Sequence, residues 1–169
     1  MTVVDLQRLY DYGYWANARL FRVISELTPE QFTRAVAGSH GSIRNTLVHA
    51  LSAEWGWLSR CGGPERGPAL EPGDYPTLPA LADAWARVEG HVRGFLSRLG
   101  DEDLARRVEL TTPRGEQRSM ALGELLQHGA NHGVHHRGQV ALLLRLLGRA
   151  PGNVDLLLYD AERRGVTAW

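Results

Sequence analysis

The stretch Ala121-Leu-Gly-Glu-Leu-Leu-Gln-His128-Gly-Ala-Asn-His132-Gly-Val-His135-His136-Arg-Gly-Gln139-Val-Ala-Leu-Leu-Leu-Arg-Leu-Leu147 reads as one long helix, stopped by Gly148, Pro151 and Gly152. Four of its residues within a nine-residue window are histidines. Histidine is a weak helix former, so this density in mid-helix costs propensity that a function should offset, and a bound metal is the expected function, the alternative being histidines that merely populate a helix face as a pH-sensitive surface or as caps for neighbouring carbonyls. At 3.6 residues per turn, His132 and His136 lie about 40° apart around the axis and about 6 Å apart along it, close enough to hold one ion. His132 can pair with His128, His135 or His136. His128 and His136, about 12 Å apart along the axis, cannot both join it on one ion. Two imidazoles hold a divalent ion weakly; three with an open position make a catalytic type of zinc site.

A third ligand must therefore come from another helix. Ser42 reads as the cap of a helix over Ile43 to Arg60, with Leu47, Val48, Leu51, Trp55 and Leu58 as its apolar stripe and Cys61-Gly-Gly-Pro64 as its stop. His49 sits in the middle of it and is the best-placed third ligand, the plain alternative being a hydrogen-bonded core histidine. His40, in a loop beside Gly41, and His91, on a third helix, read as surface residues.

Outward from these two helices, Val3 to Leu27 is amphipathic, with Leu6, Tyr10, Gly13, Ala16, Asn17 and Leu20 on one face. Thr28-Pro29-Glu30-Gln31 opens a short element expected to end near Gly38. Residues 64–79, rich in Pro and Gly, read as a crossover connection, and Thr77 and Pro79 open a third long helix through Leu99 that buries Leu81, Trp85, Val88, Phe95 and Leu96. A turn of helix at Asp101 to Leu104, a small hairpin of Arg107 to Thr111 with Glu116 to Met120 about Pro113-Arg114-Gly115, and a last short helix at Val154 to Arg163 complete the chain. The fold class is all-α, a four-helix bundle with one long connection, and residues 1–169 read as one domain.

Acidic and basic residues balance at 19 each, so the charge calls for neither nucleic acid nor an anionic membrane. No apolar run is long enough for a signal peptide or a membrane span, and the single cysteine, Cys61, excludes an internal disulfide; a cytoplasmic location is expected.

Leu47-Val48-His49-Ala50-Leu51, His132-Gly-Val-His135-His136-Arg137-Gly-Gln139 and the N-terminal Tyr14-Trp15-Ala16-Asn17-Ala18-Arg19-Leu20 together resemble the DinB/YfiT-like superfamily of metal-binding bundles, over roughly residues 3 to 147. The resemblance implies an up-down-down-up bundle, His49, His132 and His136 as the metal ligands, with His128 and His135 outside the set, and a homodimer. It also implies a metal that handles a low-molecular-weight thiol acting on a small-molecule substrate. Zinc is the first expectation, with nickel or iron suited to the same imidazoles. Thiol S-transfer is the expected activity; a hydrolase using bound water and a non-catalytic metal-binding stress-response protein are the alternatives.

The other polar residues near these motifs carry plainer expectations. Glu54 projects about 140° from His49 around its helix, and Glu54, Asn45 and Glu124 are each expected on a solvated helix surface. Arg137 reads as an exposed, salt-bridged side chain, and Gly129, Gly133 and Gly138 as a helix-packing series. Tyr10, Tyr14, Trp15, Trp55 and Trp57 are expected in the core rather than in a cleft.

Overall fold

The capping residues read from the sequence, Thr28, Ser42 and Thr77, cap helices in space, and Thr2, not singled out there, caps a fourth. In the computed structural model, which describes residues 1–112 and 114–167, Thr2 caps helix α1 (Val3–Ile24), Thr28 caps α2 (Pro29–Thr33), Ser42 caps α3 (Ile43–Arg60) and Thr77 caps α4 (Leu78–Leu96). Each cap oxygen accepts a hydrogen bond from the backbone N–H three residues on, satisfying a donor that the helix leaves free. Strands β1 (Arg107–Thr111) and β2 (Gln117–Ala121) form an antiparallel hairpin, with Val108 opposite Met120. Pro113 of its expected turn lies outside the described residues. Helix α5 (Leu122–Leu146) follows directly, its first turn closed by Glu124, which accepts from the Ala121 N–H at 2.9 Å; α6 (Leu156–Arg163) ends the described chain.

The protein is mostly helical, and the four long helices share one core: α1 touches α5 and α4, and α3 touches the same two. Leu6, Leu51, Leu81 and Leu144, each wholly buried, come one from each of the four helices. The amphipathic stripes account for this, because each helix carries its leucines and valines at three- and four-residue spacing. Close approach of α1 to α5 needs Gly129: a Cβ there would come within 2.7 Å of the Tyr10 hydroxyl, which donates to the Leu126 carbonyl at 3.0 Å.

Three helices end three residues or more before their expected boundaries, the first being α1, which stops at Ile24 rather than Leu27. Helix α2 stops at Thr33, five residues before Gly38, because Arg34 turns extended at ψ 126° and the chain then folds into a loop. That loop is pinned by Val36 N–H donating to the Gly41 carbonyl at 2.8 Å, and Gly38, Ser39 and Gly41 all take positive φ. Helix α4 ends at Leu96 rather than Leu99, with Ser97 as its C-cap. The connection from α3 to α4 runs without regular structure apart from a 3-10 turn at Pro72–Asp74, and a second such turn, Asp101–Ala105, precedes the hairpin. Among the described residues no helix is long and apolar enough to cross a membrane.

Candidate metal centre

Helices α3 and α5 pack along their length and bring histidines of both to one place. The ring of His49 lies 4.6 Å from that of His136 and 5.6 Å from that of His132, centroid to centroid. Across one turn of α5, the Nε2 atoms of His132 and His136 approach to 3.1 Å. Two nitrogens on one zinc at about 2.0–2.1 Å, arranged tetrahedrally, would stand about 3.3 Å apart, so this pair is already spaced for a shared ion.

His40 joins them. Its ring stacks on His49 at 3.8 Å and lies 5.3 Å from His136, and the ligand nitrogens of His40, His49 and His136 all fall within 4.8 Å of one another. The group of three that meets this distance thus includes His40, which the sequence places on the surface, and leaves out the expected ligand His132, which approaches His136 alone at 3.1 Å. It is indeed exposed, but the loop after α2 folds it over the end of the cluster. The remaining histidines stay apart. His128 is exposed and packs edge-on against Trp57 at 4.7 Å; His91 is exposed beside Trp55; His135 is exposed and accepts from the Gln139 amide at 2.9 Å.

Gln139 sets the tautomer of His136. Its Oε1 accepts from His136 Nδ1 at 2.7 Å, which leaves the Nε2 lone pair of His136 facing His132. The same Oε1 accepts from the Ser39 hydroxyl at 2.9 Å and so ties the His40 loop to α5. Burial, reinforced by neighbouring imidazoles, holds His132 and His136 down to about 4 and lowers His40 and His49 as well. Near neutral pH the cluster therefore presents uncharged imidazoles, the form that binds a metal. The donor set fits a divalent ion: uncharged imidazole nitrogens, three of them within 4.8 Å of one another, and a side of the cluster open to solvent at His40 and His49.

Beneath the histidines a water-sized cavity of about 10 Å³ is lined by His132, His136, Glu54, Asn17, Trp85 and Arg137. Glu54 and Arg137 are corrections to the sequence reading. The 140° that separates Glu54 from His49 leads into the bundle, because α3 is covered on more than one side. Glu54 accepts from the Tyr14 hydroxyl at 2.8 Å; burial raises its carboxyl to about 7, with the Tyr14 hydrogen bond and the Arg137 charge opposing the rise. Arg137 is buried, makes no ion pair within 4 Å among the described residues, and lies 5.3 Å from the Tyr12 ring. Gly13 and Gly133 make its room: a Cβ at either would meet Nη1, at 3.4 and 3.0 Å. Gly138 has open space about it and plays no such part. Asn45 accepts from Arg44 and borders, with His40 and His49, a groove beside the cluster. Of the five aromatic residues singled out in the sequence, Tyr10 and Tyr14 are core and the three tryptophans are half-buried; Trp85 is the aromatic residue that borders the cavity.

A carboxyl held protonated in the fold opposes stability as it is forced to ionise. In the unfolded chain Glu54 titrates at its ordinary 4.5, so its contribution is full below that pH and is lost as pH rises through about 7. In the metal-free protein, Glu54→Gln keeps an acceptor for Tyr14 and is expected to gain on the order of 1–3 kcal/mol relative to the unaltered chain between pH 5 and pH 8. Thermal unfolding of both at the two pH values measures this; a difference in Tm independent of pH would contradict the raised carboxyl.

A mostly helical protein with an interhelical histidine cluster that could hold a metal ion is the class that fold and site define. The sequence profile of the DinB family matches residues 1–165, and the chain belongs to that family. It is 28% identical over 159 residues to Protein DinB of Bacillus subtilis (strain 168), covering 90% of this chain and 91% of that one. The Uncharacterized protein YizA of the same organism is 23% identical over 152 residues, covering 90% and 94%. Among solved structures, a DinB-like protein from Bacillus cereus ATCC 10987 superposes with a TM-score of 0.75 at 24% identity, covering 91% of this chain and 98% of that one. A conserved protein from Enterococcus faecalis gives 0.60 at 15%, covering 88% and 99%. Both likenesses concern the fold.

Proposed function

We propose that this protein is a divalent-metal-dependent thiol S-transferase, with His49, His132 and His136 as ligands and a small electrophile as cosubstrate. The observation that carries the reading is the convergence of neutral imidazoles from α3 and α5, with His136 oriented by Gln139. When bound, a zinc-like ion supplies a positive charge that lowers the pKa of a thiol in its open position and yields a nucleophile at neutral pH. The chain's own contribution is to hold three nitrogens in register and to leave one side open. That side meets a groove of about 290 Å³ between α3 and the α3–α4 connection, bordered by His40, His49, Asn45, Ser52, Leu70 and Pro72, which has room for a small substrate. Homodimerisation belongs to the same reading, as an expectation from the family resemblance.

Glu54 favours one second reading, a hydrolase. A carboxyl that titrates at about 7 on the wall of the cavity under His132 and His136 is poised to take a proton from water. The two are separated by turnover of the zinc-loaded protein with a generic electrophile, with and without a panel of low-molecular-weight thiols. Thiol-dependent consumption that His132→Ala abolishes is the expected result. Turnover that needs no thiol would favour hydrolysis, and no metal-dependent turnover with any thiol would contradict the transferase.

A further inference from the structure

The loop between α2 and α3 carries a histidine to the open side of the cluster, where an incoming ligand would enter. Its backbone is built to place that side chain. Gly38, Ser39 and Gly41 surround His40 with positive φ, and Ser39 adopts 49° although it has a side chain that disfavours it. The conformation is held from outside: Ser39 Oγ donates to Gln139 Oε1 and lies 3.1 Å from Thr46 Oγ1, while Val36 and Gly41 close the loop on itself. Ser39 and His136 share one acceptor on Gln139, so the loop is registered to a metal-ligand candidate and not merely to the surface of α5.

His40 has no hydrogen-bond partner among the described residues, and its stack on His49 is close to parallel, 18° between planes. Parallel rings do not aim both lone pairs at one point, so a shared ion requires His40 to tilt. An exposed side chain on a glycine-flanked loop can do so at little cost. On its other side His40 borders the groove of about 290 Å³ that leads to His49. His40 thus borders both the groove and the other histidines, at the side where His49 also faces the groove.

Resting on the metal-centre reading above, we infer that His40 is a displaceable fourth nitrogen ligand, closing the coordination sphere at rest and swinging into the groove when a substrate thiol takes its place. The exchange is a ligand substitution: one nitrogen–metal bond breaks, one sulfur–metal bond forms, and the thiol proton leaves to solvent. The resting site then holds four protein nitrogens, the closed type, and becomes the open type only when substrate is present.

Zinc affinity, measured by competition with a chromophoric chelator, tests this without reference to turnover. Loss of a hydrogen-bond partner behind a metal ligand costs about 10–100-fold in affinity, so loss of a direct ligand in His40→Ala is expected to cost at least about tenfold. The zinc-loaded variant should also bind 2-mercaptoethanol more tightly than the unaltered protein, because no histidine has to be displaced. Affinities for zinc and for the thiol that are both unchanged in His40→Ala would overturn the latch; weaker zinc binding with unchanged thiol affinity would overturn displacement. His132→Ala distinguishes the two levels: if it too binds zinc like the unaltered protein, the metal centre itself is refuted, whereas a loss confined to His132→Ala refutes His40 alone. The exposed position of His40 makes misfolding a poor explanation, and equal Tm values of the metal-free proteins check that.

Discussion

Zinc at about 1,000 times its dissociation constant is expected to stabilise the metal-free protein by about 4 kcal/mol, raising Tm by roughly 8–16 °C for a chain of this size, and His132→Ala is expected to remove most of that gain. The linkage follows from the geometry. In the proposed centre the ion would bind only where α3 and α5 are packed, because His49 belongs to one helix and His132 and His136 to the other, and unfolding separates them. Without His132 the ion loses the nitrogen that stands 3.1 Å from His136 Nε2, and the helix that contributes two ligands contributes one. The effect of pH has a definite sign. His132 and His136 are held down to about 4, so protons compete weakly and the zinc-induced gain should persist at pH 6, where ordinary histidines are largely protonated, and vanish as pH falls toward 4. Thermal unfolding with and without zinc at pH 6 and 7.5 measures it. A gain that His132→Ala leaves intact would move the ion elsewhere.

Arg137→Ala is expected to cost about 3 kcal/mol and to lower Tm by roughly 6–12 °C. An exposed arginine in a surface ion pair would cost about 1 kcal/mol or less. The difference lies in what surrounds the guanidinium: Gly13 and Gly133 leave it a space that alanine cannot fill, and the Tyr12 ring flanks it. Its charge also opposes the rise in the Glu54 pKa, so the variant should titrate Glu54 at a still higher pH. Arg137→Lys keeps the charge and loses the planar head, and is expected to fall between the two. A loss in Arg137→Ala no larger than that of an exposed residue would contradict the buried position.

The helices were legible because their signals are local. Ser42, Thr28 and Thr77 act on backbone groups three residues away, and leucines at helical spacing need no knowledge of their partners. That His132 lies within reach of His136 was legible for the same reason, although helical spacing allowed His128 and His135 equally and the family resemblance alone singled out His136. Arg137 was misread because a formal charge suggests water; the available signal was Gly133, one turn before it, a gap opposite a long side chain. Glu54 was misread because its angle was measured from His49 alone, as if α3 had a single buried face. His40 depends on something no periodicity carries, a loop that leaves α2 at Arg34 and returns to α5 through Ser39 and Gln139.

Zinc titration of His49→Ala and His135→Ala, alongside the unaltered protein, bears on all of this at once. His49 reaches across from α3 into the cluster, while His135 adjoins His136 in sequence yet is exposed and engaged with Gln139. High-affinity binding should be lost in His49→Ala and nearly intact in His135→Ala; equal losses from the two would show that the ion is not held between the helices.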